Sequence, residues 1–380
     1  MNHDQSKADF DRFLTPEEMK PYLAGIETTG KEAVPGSLGT TGSPETMAAQ
    51  AGIASDADGI PSNLAMQSRA LLRHQREHWP MLAKGFESLK TVQVRTFDFN
   101  GFGIKVQFNP GRIVSSSAKV DKKSIKERKC FLCRQNLPPE QKGVPYGDYM
   151  VLGNPFPIFS EHFTIPHLDH VPQLIRDAFG PMLDLSAAMG RYYSLFYNGP
   201  RCGASAPDHL HFQGCERGFM PLDTDWEDMV ARHGTWIADD DRLRMARVDD
   251  GLRRYVLFES DDKAILIQNF DHLYSVFAEA SRQSGSEAGE DEEPMLNILT
   301  TQEGGRWRVV AFLRRKHRPA RFFAEGDEKM VFSPASADFG GVCITPVERD
   351  FQRITADDLR DMFNEVSVSP EVLDAVVKKL

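Results

Sequence analysis

Apolar positions along the chain change period from one stretch to the next, and those changes outline its elements. From Asn63 to Lys90, Leu64, Leu71, Leu72, Trp79, Leu82 and Phe86 recur near helical spacing, which predicts a helix. Thr91–Phe108 reads as a β-hairpin: Val92, Val94 and Phe97 precede the turn dipeptide Asn100-Gly101, and Ile104, Val106 and Phe108 follow it. Strand character returns over Asp148–Ile165. A helix is then expected from about Gln173 to Tyr197, with Pro181 placed to kink or divide it. Strands are expected at His209–Gln213, Arg254–Phe258 and Ala264–Gln268, and a helix at Asp271–Arg282. Met295–Thr300, Trp307–Arg314 and Gly341–Ile344 add strands, and helices close the chain from Ala356. Antiparallel strands mixed with helices indicate an α+β architecture, and the two halves share a loosely similar order of elements.

Two stretches break the pattern. Gly25 to Pro61 is rich in Gly, Ser, Thr and Ala, with few large apolar residues, as in a flexible arm or a surface loop. Gln283–Pro294 is mostly Gly, Ser and acidic residues and reads as a mobile loop. The expected division is a flexible N-terminal arm over residues 1–62, a first half over 63–215, and a second half over 216–380 that carries the loop 283–294.

Composition narrows the function. Hydrophobic content of 41% and charged content of 26% are those of an ordinary globular protein. The longest apolar runs, such as Tyr255–Phe258 and Ala264–Ile267, are too short for a membrane span, and Met1–Asp11 lacks a secretory apolar core. Five cysteines, an odd number, argue against a disulfide framework, so a reducing cytoplasm is the expected location. A net charge of −10 argues against nucleic-acid binding. Two basic stretches stand against that background: Lys119, Lys122, Lys123, Lys126, Arg128 and Lys129, and then Arg314, Arg315, Lys316, His317, Arg318 and Arg321. They read either as solvated faces or as a site for a small ligand carrying several phosphates.

The segment Asn198 to Gln213 carries the most chemistry. On a strand, His209, His211 and Gln213 would share one face, roughly 7 Å apart in succession, with Leu210 and Phe212 on the other. Gly203-Ala204-Ser205 can bring backbone N–H groups and a hydroxyl close to an anion. The alternative is two surface histidines beside a loop. Cys130-Phe131-Leu132-Cys133 offers two thiolates at zinc spacing, but no second such pair follows, so histidines would complete a site. His162, His167, His170 and His209 are available; a redox dithiol or two plain buried cysteines are the other readings. His209 suits the ligand role because a metal there would anchor the strand that presents His211.

The run Asn198…Gly203-x-Ser205…His209-x-His211-x-Gln213 resembles the active-site segment of galactose-1-phosphate uridylyltransferases, in the histidine-triad superfamily. In that family the second histidine of the pair is nucleotidylated and the first can bind zinc. Asn109-Pro110-Gly111-Arg112-Ile113-Val114-Ser115 followed by Lys119 resembles a family region whose basic residues contact phosphate. Cys130-x-x-Cys133 matches the family's zinc pair in type and order, and Asn154-Pro155-Phe156-Pro157 its nucleotide-contacting segment. Asn297-Ile298-Leu299, Trp307 and His317-Arg318-Pro319 are similar to diadenosine-tetraphosphate and GDP-hexose phosphorylases; Phe332–Thr355 resembles the closing segment of the latter. Leu210 and Phe212 stand where the transferases have proline and glycine, and the loop differs by one residue on each side of Ser205.

The resemblance spans Leu71 to Thr355 and implies a histidine-triad-like antiparallel sheet with flanking helices in two related halves. It implies a nucleotidyltransferase working through a covalent nucleotidyl-histidine. The expected activity is that of a nucleoside-diphosphate-sugar phosphorylase or a hexose-1-phosphate nucleotidylyltransferase, the alternative within the class being a dinucleoside polyphosphate phosphorylase or hydrolase. The rival from another class is a non-catalytic nucleotide-binding scaffold. His211 would be the nucleophile, with Gln213 and Ser205 beside it, and Arg112, Lys119, Asn154, Phe156, Asn198 and Gly203 would bind substrate. Structural zinc would be held by Cys130, Cys133, His209 and either His170 or His167, with His170 favoured. The implied partners are a nucleotide sugar or dinucleoside polyphosphate and phosphate or a sugar 1-phosphate, with neither nucleic acid nor membrane; a homodimer is compatible with all of this.

Overall fold

The computed structural model describes residues 12–23, 26, 63–113, 121–289 and 292–380. Lys119 and most of the expected arm lie outside the described residues. Within that arm, however, helix α1 (Pro16–Leu23) is packed: Leu14 and Met19 join the main core, and the Leu14 N–H bonds to the Gly143 carbonyl at 2.9 Å.

The single helix expected across 63–90 is two, α2 (Leu64–His78) and α3 (Pro80–Ser88), divided by Pro80. Asn63 caps α2, its Oδ1 accepting the Ala65 N–H at 2.9 Å. Strands β1 (Gln93–Asp98) and β2 (Gly103–Phe108) form the expected hairpin, and Asn100 (φ 56°) with Gly101 (φ 95°) supply the two left-handed residues of its turn. After α4 (Lys122–Glu127) come β3 (Gly143–Tyr146), β4 (Tyr149–Gly153), β5 (His162–Pro166), α5 (Phe179–Met189), β6 (Tyr193–Asn198) and β7 (His211–Glu216). The second half runs α6 (Leu222–His233), β8 (Gly234–Asp239), β9 (Arg244–Asp249), β10 (Arg254–Ser260), α7 (Lys263–Gln283), β11 (Leu296–Glu303) and β12 (Arg306–Leu313). The chain closes with α8 (Ala320–Phe323), α9 (Ser336–Phe339), β13 (Val342–Thr345), α10 (Glu348–Arg353), α11 (Ala356–Val366) and α12 (Pro370–Val377). No helix among the described residues is long and apolar enough to cross a membrane.

Several boundaries differ from expectation for identifiable reasons. Tyr193–Asn198 is a strand rather than the end of a helix; all six residues are buried, so no polar face marks its period. Pro181 neither kinks nor divides α5, because it sits in the first turn, where no intrahelical N–H is required. The strand expected at Ala264–Gln268 is the first part of α7, started by Asp262, whose side chain accepts the Ala264 and Ile265 N–H groups. The strand carrying the histidine pair begins only at His211, so His209 and Leu210 precede it.

Ten strands form one sheet in the order β3-β4-β5-β7-β6-β11-β12-β10-β9-β8. Each half contributes five in the same pattern: three in a meander, a helix, then a fourth strand placed outside the fifth. The halves join antiparallel through β6 and β11, where Asn198 faces Asn297. One face is covered by α2, α5 and α7, whose Leu71, Phe179, Met182, Phe270 and Phe277 pack on Ile165, Phe212, Ile298 and Ala311. On the other, the small sheet β1-β2-β13 with α10 and α11 covers the second half, burying Ile104, Val106, Val342 and Phe363 against Leu257, Leu299 and Phe312. Over the first half this layer gives way to a cavity.

One glycine sets how tightly α3 approaches that cavity. A Cβ on Gly85 would collide with the carbonyl oxygen of Pro155, in the loop after β4. Gly85→Ala gains about 1 kcal/mol of helix propensity but overpacks fixed backbone, which costs about 1–3 kcal/mol or more, so destabilisation should win. A lower urea midpoint at unchanged m-value is the expected result; an increase would show that the loop yields freely.

Candidate functional site

The cavity has a volume of about 360 Å³ and is bordered by both halves. Its floor follows one row of paired residues across the sheet, Leu152 on β4, Thr164 on β5, Gln213 on β7 and Phe196 on β6. Above the end of β6 and β7 lie Asn198, Gly203, Ala204, Ser205 and His211; from the second half come His317, Arg318, Ser333, Ala335 and Asp338. Gly203 has φ +98°, and a Cβ there would crowd the Ala335 Cβ at 2.5 Å, so the loop after β6 can lean on the second half only with glycine at this point.

Backbone groups fix the protonation of the histidines. His211 Nδ1 is 2.8 Å from the carbonyl of His209, which can only accept, so Nδ1 carries the proton and Nε2 keeps its lone pair. Burial lowers the His211 pKa to about 4, and the ring is neutral at physiological pH. His209 has the opposite tautomer: Nε2–H donates to the His167 carbonyl at 2.8 Å, leaving Nδ1 to face Cys130 and Cys133. The two imidazoles therefore do not share a site. His211 borders the cavity, and His209 turns away into a cluster behind it.

His162, one of the four histidines available to a metal, lies instead behind Gln213. The Ile158 N–H donates to His162 Nδ1 at 3.2 Å, so the proton sits on Nε2 and donates to Gln213 Oε1 at 3.0 Å. With its oxygen held from behind, Gln213 has its NH2 free to donate. Asn198 is set the same way, its Oδ1 accepting the Ser336 N–H at 2.8 Å and an Asn297 amide N–H at 2.9 Å. Gln173, fully buried, staples the start of β7: Oε1 accepts the His211 N–H at 2.7 Å, and Nε2 donates to the carbonyls of Asn198 and His211. Sequence reasoning missed this last role, since a lone glutamine in a connection carries no periodic or motif signal.

Other expected site residues divide between lining and support. Arg112 borders the cavity, its Nη1 donating to the Phe156 carbonyl at 2.6 Å, and burial lowers its pKa to about 10. Asn154 holds the turn to Phe156, accepting the Phe156 N–H at 2.9 Å and donating to Thr164 Oγ1 at 3.0 Å. Of the second basic stretch, His317 and Arg318 border the cavity. Arg314 is fully buried and bonds Asn297 Oδ1 and the carbonyls of Pro334, Lys316 and His317, while Lys316 pairs with Glu365 and Arg321 with Asp358. Asp338 was not anticipated; it borders the cavity, both oxygens accept backbone N–H groups, and burial raises its pKa to about 7. Glu293, at the end of the loop expected to be mobile, is buried and bonds the Ile175 N–H and the Tyr197 hydroxyl.

Cys130, Cys133, His170 and His209 bring their ligand atoms within 4.8 Å of one another. Sulfur–nitrogen separations are 3.3 Å for Cys130–His209, 3.2 Å for Cys133–His170 and 3.6 Å for Cys133–His209. A tetrahedral ion with bonds of about 2.3 Å to sulfur and 2.0–2.1 Å to nitrogen needs roughly 3.5 Å between such ligands. The set can hold a metal. His167 supplies its carbonyl to His209 rather than its ring to the cluster, and Asp208, paired with Arg128, stands 3.8 Å from His170 Nε2. Burial and the adjacent Cys130 thiolate push Cys133 up to about 11, a repulsion that a cation would relieve.

A family profile covers most of the first half. It is described as a domain of unknown function, DUF4922, and matches residues 71–216. No curated protein matches the chain. Among solved structures, the yeast Ap4A phosphorylase Apa2 is 15% identical with a TM-score of 0.48, covering 76% of this chain and 93% of that one. Its complex with AMP gives 16%, a TM-score of 0.48, and 78% and 96%. A DUF4931 family protein from Bacillus cereus ATCC 10987 is 12% identical with a TM-score of 0.32, covering 47% of this chain and 88% of that one.

The tautomer of His162 has a measurable consequence. Burial, reinforced by Arg112, lowers its folded pKa to about 3, well below the value of about 6.5 expected when unfolded. Its contribution is therefore complete above about pH 6.5 and is lost as pH falls, because only the unfolded chain takes up the proton. Between pH 6.5 and 5 this amounts to about 2 kcal/mol. Urea unfolding at both pH values should show His162→Gln losing less stability on acidification than wild type, by about that amount. Equal losses would mean that the ring titrates normally.

Proposed function

We propose that the chain is a nucleotidyltransferase that carries a nucleoside monophosphate on His211. The donor would be a nucleoside-diphosphate sugar or a dinucleoside polyphosphate, and the acceptor phosphate or a sugar 1-phosphate. The observation that carries this reading is the pair of opposed tautomers, which leaves a neutral Nε2 lone pair of His211 at the cavity beside an amide donor on Gln213. A non-catalytic nucleotide scaffold has no use for that pairing.

In the proposed reaction Nε2 attacks the α-phosphorus, and the bond to the bridging oxygen breaks with its electron pair leaving on the sugar phosphate or nucleotide. Dividing one displacement into two lowers each barrier. The imidazole becomes cationic as the P–N bond forms, and its Nδ1–H is already held by the His209 carbonyl. Charge gathering on the equatorial oxygens meets the amides of Gln213 and Asn198, the Gly203–Ser205 loop and Arg112, donors whose individual loss in such sites costs about a hundred- to a thousandfold. Phosphate entering beside His317 and Arg318 then attacks the same phosphorus, and the P–N bond breaks to restore neutral His211. Lys119, outside the described residues, stays a candidate phosphate contact on the resemblance alone.

Cys130, Cys133, His170 and His209 would hold zinc, whose thiolate and imidazole preferences match the set. Four protein ligands leave no open position, so its contribution is structural. Metal analysis of protein purified without chelator should find about one zinc per chain, and Cys130→Ser should retain far less. Zinc-free, fully stable protein would end this assignment.

Incubation with nucleotide sugars and dinucleoside polyphosphates labelled at the α-phosphate should leave acid-labile label on His211. His211→Gly should fold, keep its metal and take no label. His209→Asn should lose metal and thermal stability first and activity as a result. Label on His209, or full turnover by the His211 variant, would overturn the mechanism.

A further inference from the structure

The cavity floor runs away from His211 in a known direction. Gln213 pairs with Thr164, Thr164 with Leu152, and Leu152 with Gly143, so the row reaches Leu152 two strands beyond Gln213 and ends one strand further at the edge strand β3. At the ordinary strand spacing of about 4.8 Å, Leu152 is roughly 10 Å from Gln213. The lining changes along this line. Arg112, Asn198 and His317 give way to Trp79, Met81, Phe131, Leu137 and Leu152, with Leu137 and Leu152 in one apolar cluster. Met81 and Phe131 are each 47% exposed, large apolar side chains left at the rim. A flat heterocycle fits such a slot, and a phosphate does not.

Gln141 stands at that far end, just before β3. It is 7% exposed and borders the cavity, and its carboxamide makes no hydrogen bond with any described residue. Its backbone N–H is tied to the Pro138 carbonyl at 3.0 Å, which holds the residue against the Leu137–Pro138 wall. The residue is mostly enclosed and lines the cavity, and its carboxamide offers one donor and one acceptor to whatever occupies the slot.

We infer that Gln141 reads the edge of the nucleobase and selects adenine over guanine and uracil. This rests on the proposed use of the cavity for a nucleoside monophosphate. A glutamine amide matches adenine's 6-amino donor and an adjacent ring nitrogen acceptor with two bonds. Guanine presents a third polar group, its 2-amino, which would be left among Leu137, Phe131 and Met81. Asp338 is the only acid among the described residues bordering the cavity, and its oxygens are occupied by the Ala335 and Ile344 N–H groups on the second-half side. Uracil is smaller and leaves part of the apolar slot unfilled.

Calorimetric titration of the metal-loaded full chain with AMP, GMP, UMP and inorganic phosphate tests this. AMP should bind about tenfold to a hundredfold more tightly than GMP or UMP. Gln141→Leu should weaken AMP by a similar factor while leaving phosphate binding unchanged, which separates a lost base contact from a damaged fold. Gln141→Glu should shift preference towards GMP, because a carboxylate accepts both the ring N–H and the 2-amino group of guanine. GMP or UMP binding as tightly as AMP, or AMP binding unaffected in both variants, overturns the assignment to Gln141 while leaving nucleotidyl transfer in place. Phosphate binding with no nucleotide bound more tightly overturns both.

Discussion

The hydrogen bond from His211 Nδ1 to the carbonyl of His209 is the constraint on which the candidate site depends. It fixes which nitrogen of His211 is free, and it does so through a peptide group whose own position is held by the His209 ring. That ring is held in turn by Cys130, Cys133 and the carbonyl of His167. A two-residue step along the backbone thus connects a cluster suited to a metal with an imidazole whose Nε2 carries a lone pair, without either ring entering the other's site. Gln173 closes the arrangement from the opposite side by bonding both the N–H and the carbonyl of His211.

The amides of Gln213 and Asn198 are each oriented by a partner that cannot reverse its role. The Ile158 N–H decides the tautomer of His162, and His162 decides which end of Gln213 faces inward. The Ser336 N–H decides the same for Asn198. Orientation of this kind is set in the fold before any ligand arrives, so little reorganisation is needed when charge develops. It also explains why second-half residues matter to a site whose named chemistry lies in the first: Ser336, Asn297 and Ala335 are the backing of Asn198 and Gly203.

Much of this was legible in the sequence, for physical reasons that also mark its limit. The hairpin at Asn100-Gly101 could be read because two left-handed residues have few alternatives, and the α+β class because strand and helix periods alternate. Cys130, Cys133 and the histidine pair could be read because thiols and imidazoles at those spacings have few other uses. Tyr193–Asn198 could not, since a strand buried on both faces has no polar phase, and the start of α7 could not, since the apolar run Ala264–Ile267 after its cap at Asp262 reads equally as strand. That His209 and His211 part company depends on the strand beginning two residues later than alternation suggests. His162, Gln173 and Asp338 act through contacts made across long separations in sequence, which no local pattern records.

The joining of the two half-sheets through β6 and β11 bears on the sheet's edges as well as on the cavity. Two five-stranded sheets standing alone would expose four edge strands, each a template for pairing with another chain. Fusing them retires two of the four. The remaining pair carry features that discourage further growth. On β3, Pro145 removes a donor, and the edge is bridged at Gly143 by Phe13 from the segment before α1. The register of β8 shifts between Trp236 and Ala238, the irregularity that twists an edge out of line for a neighbour. The repeated strand order that gives the cavity its far wall thus also leaves a wide antiparallel sheet whose two margins are poor templates for a further strand.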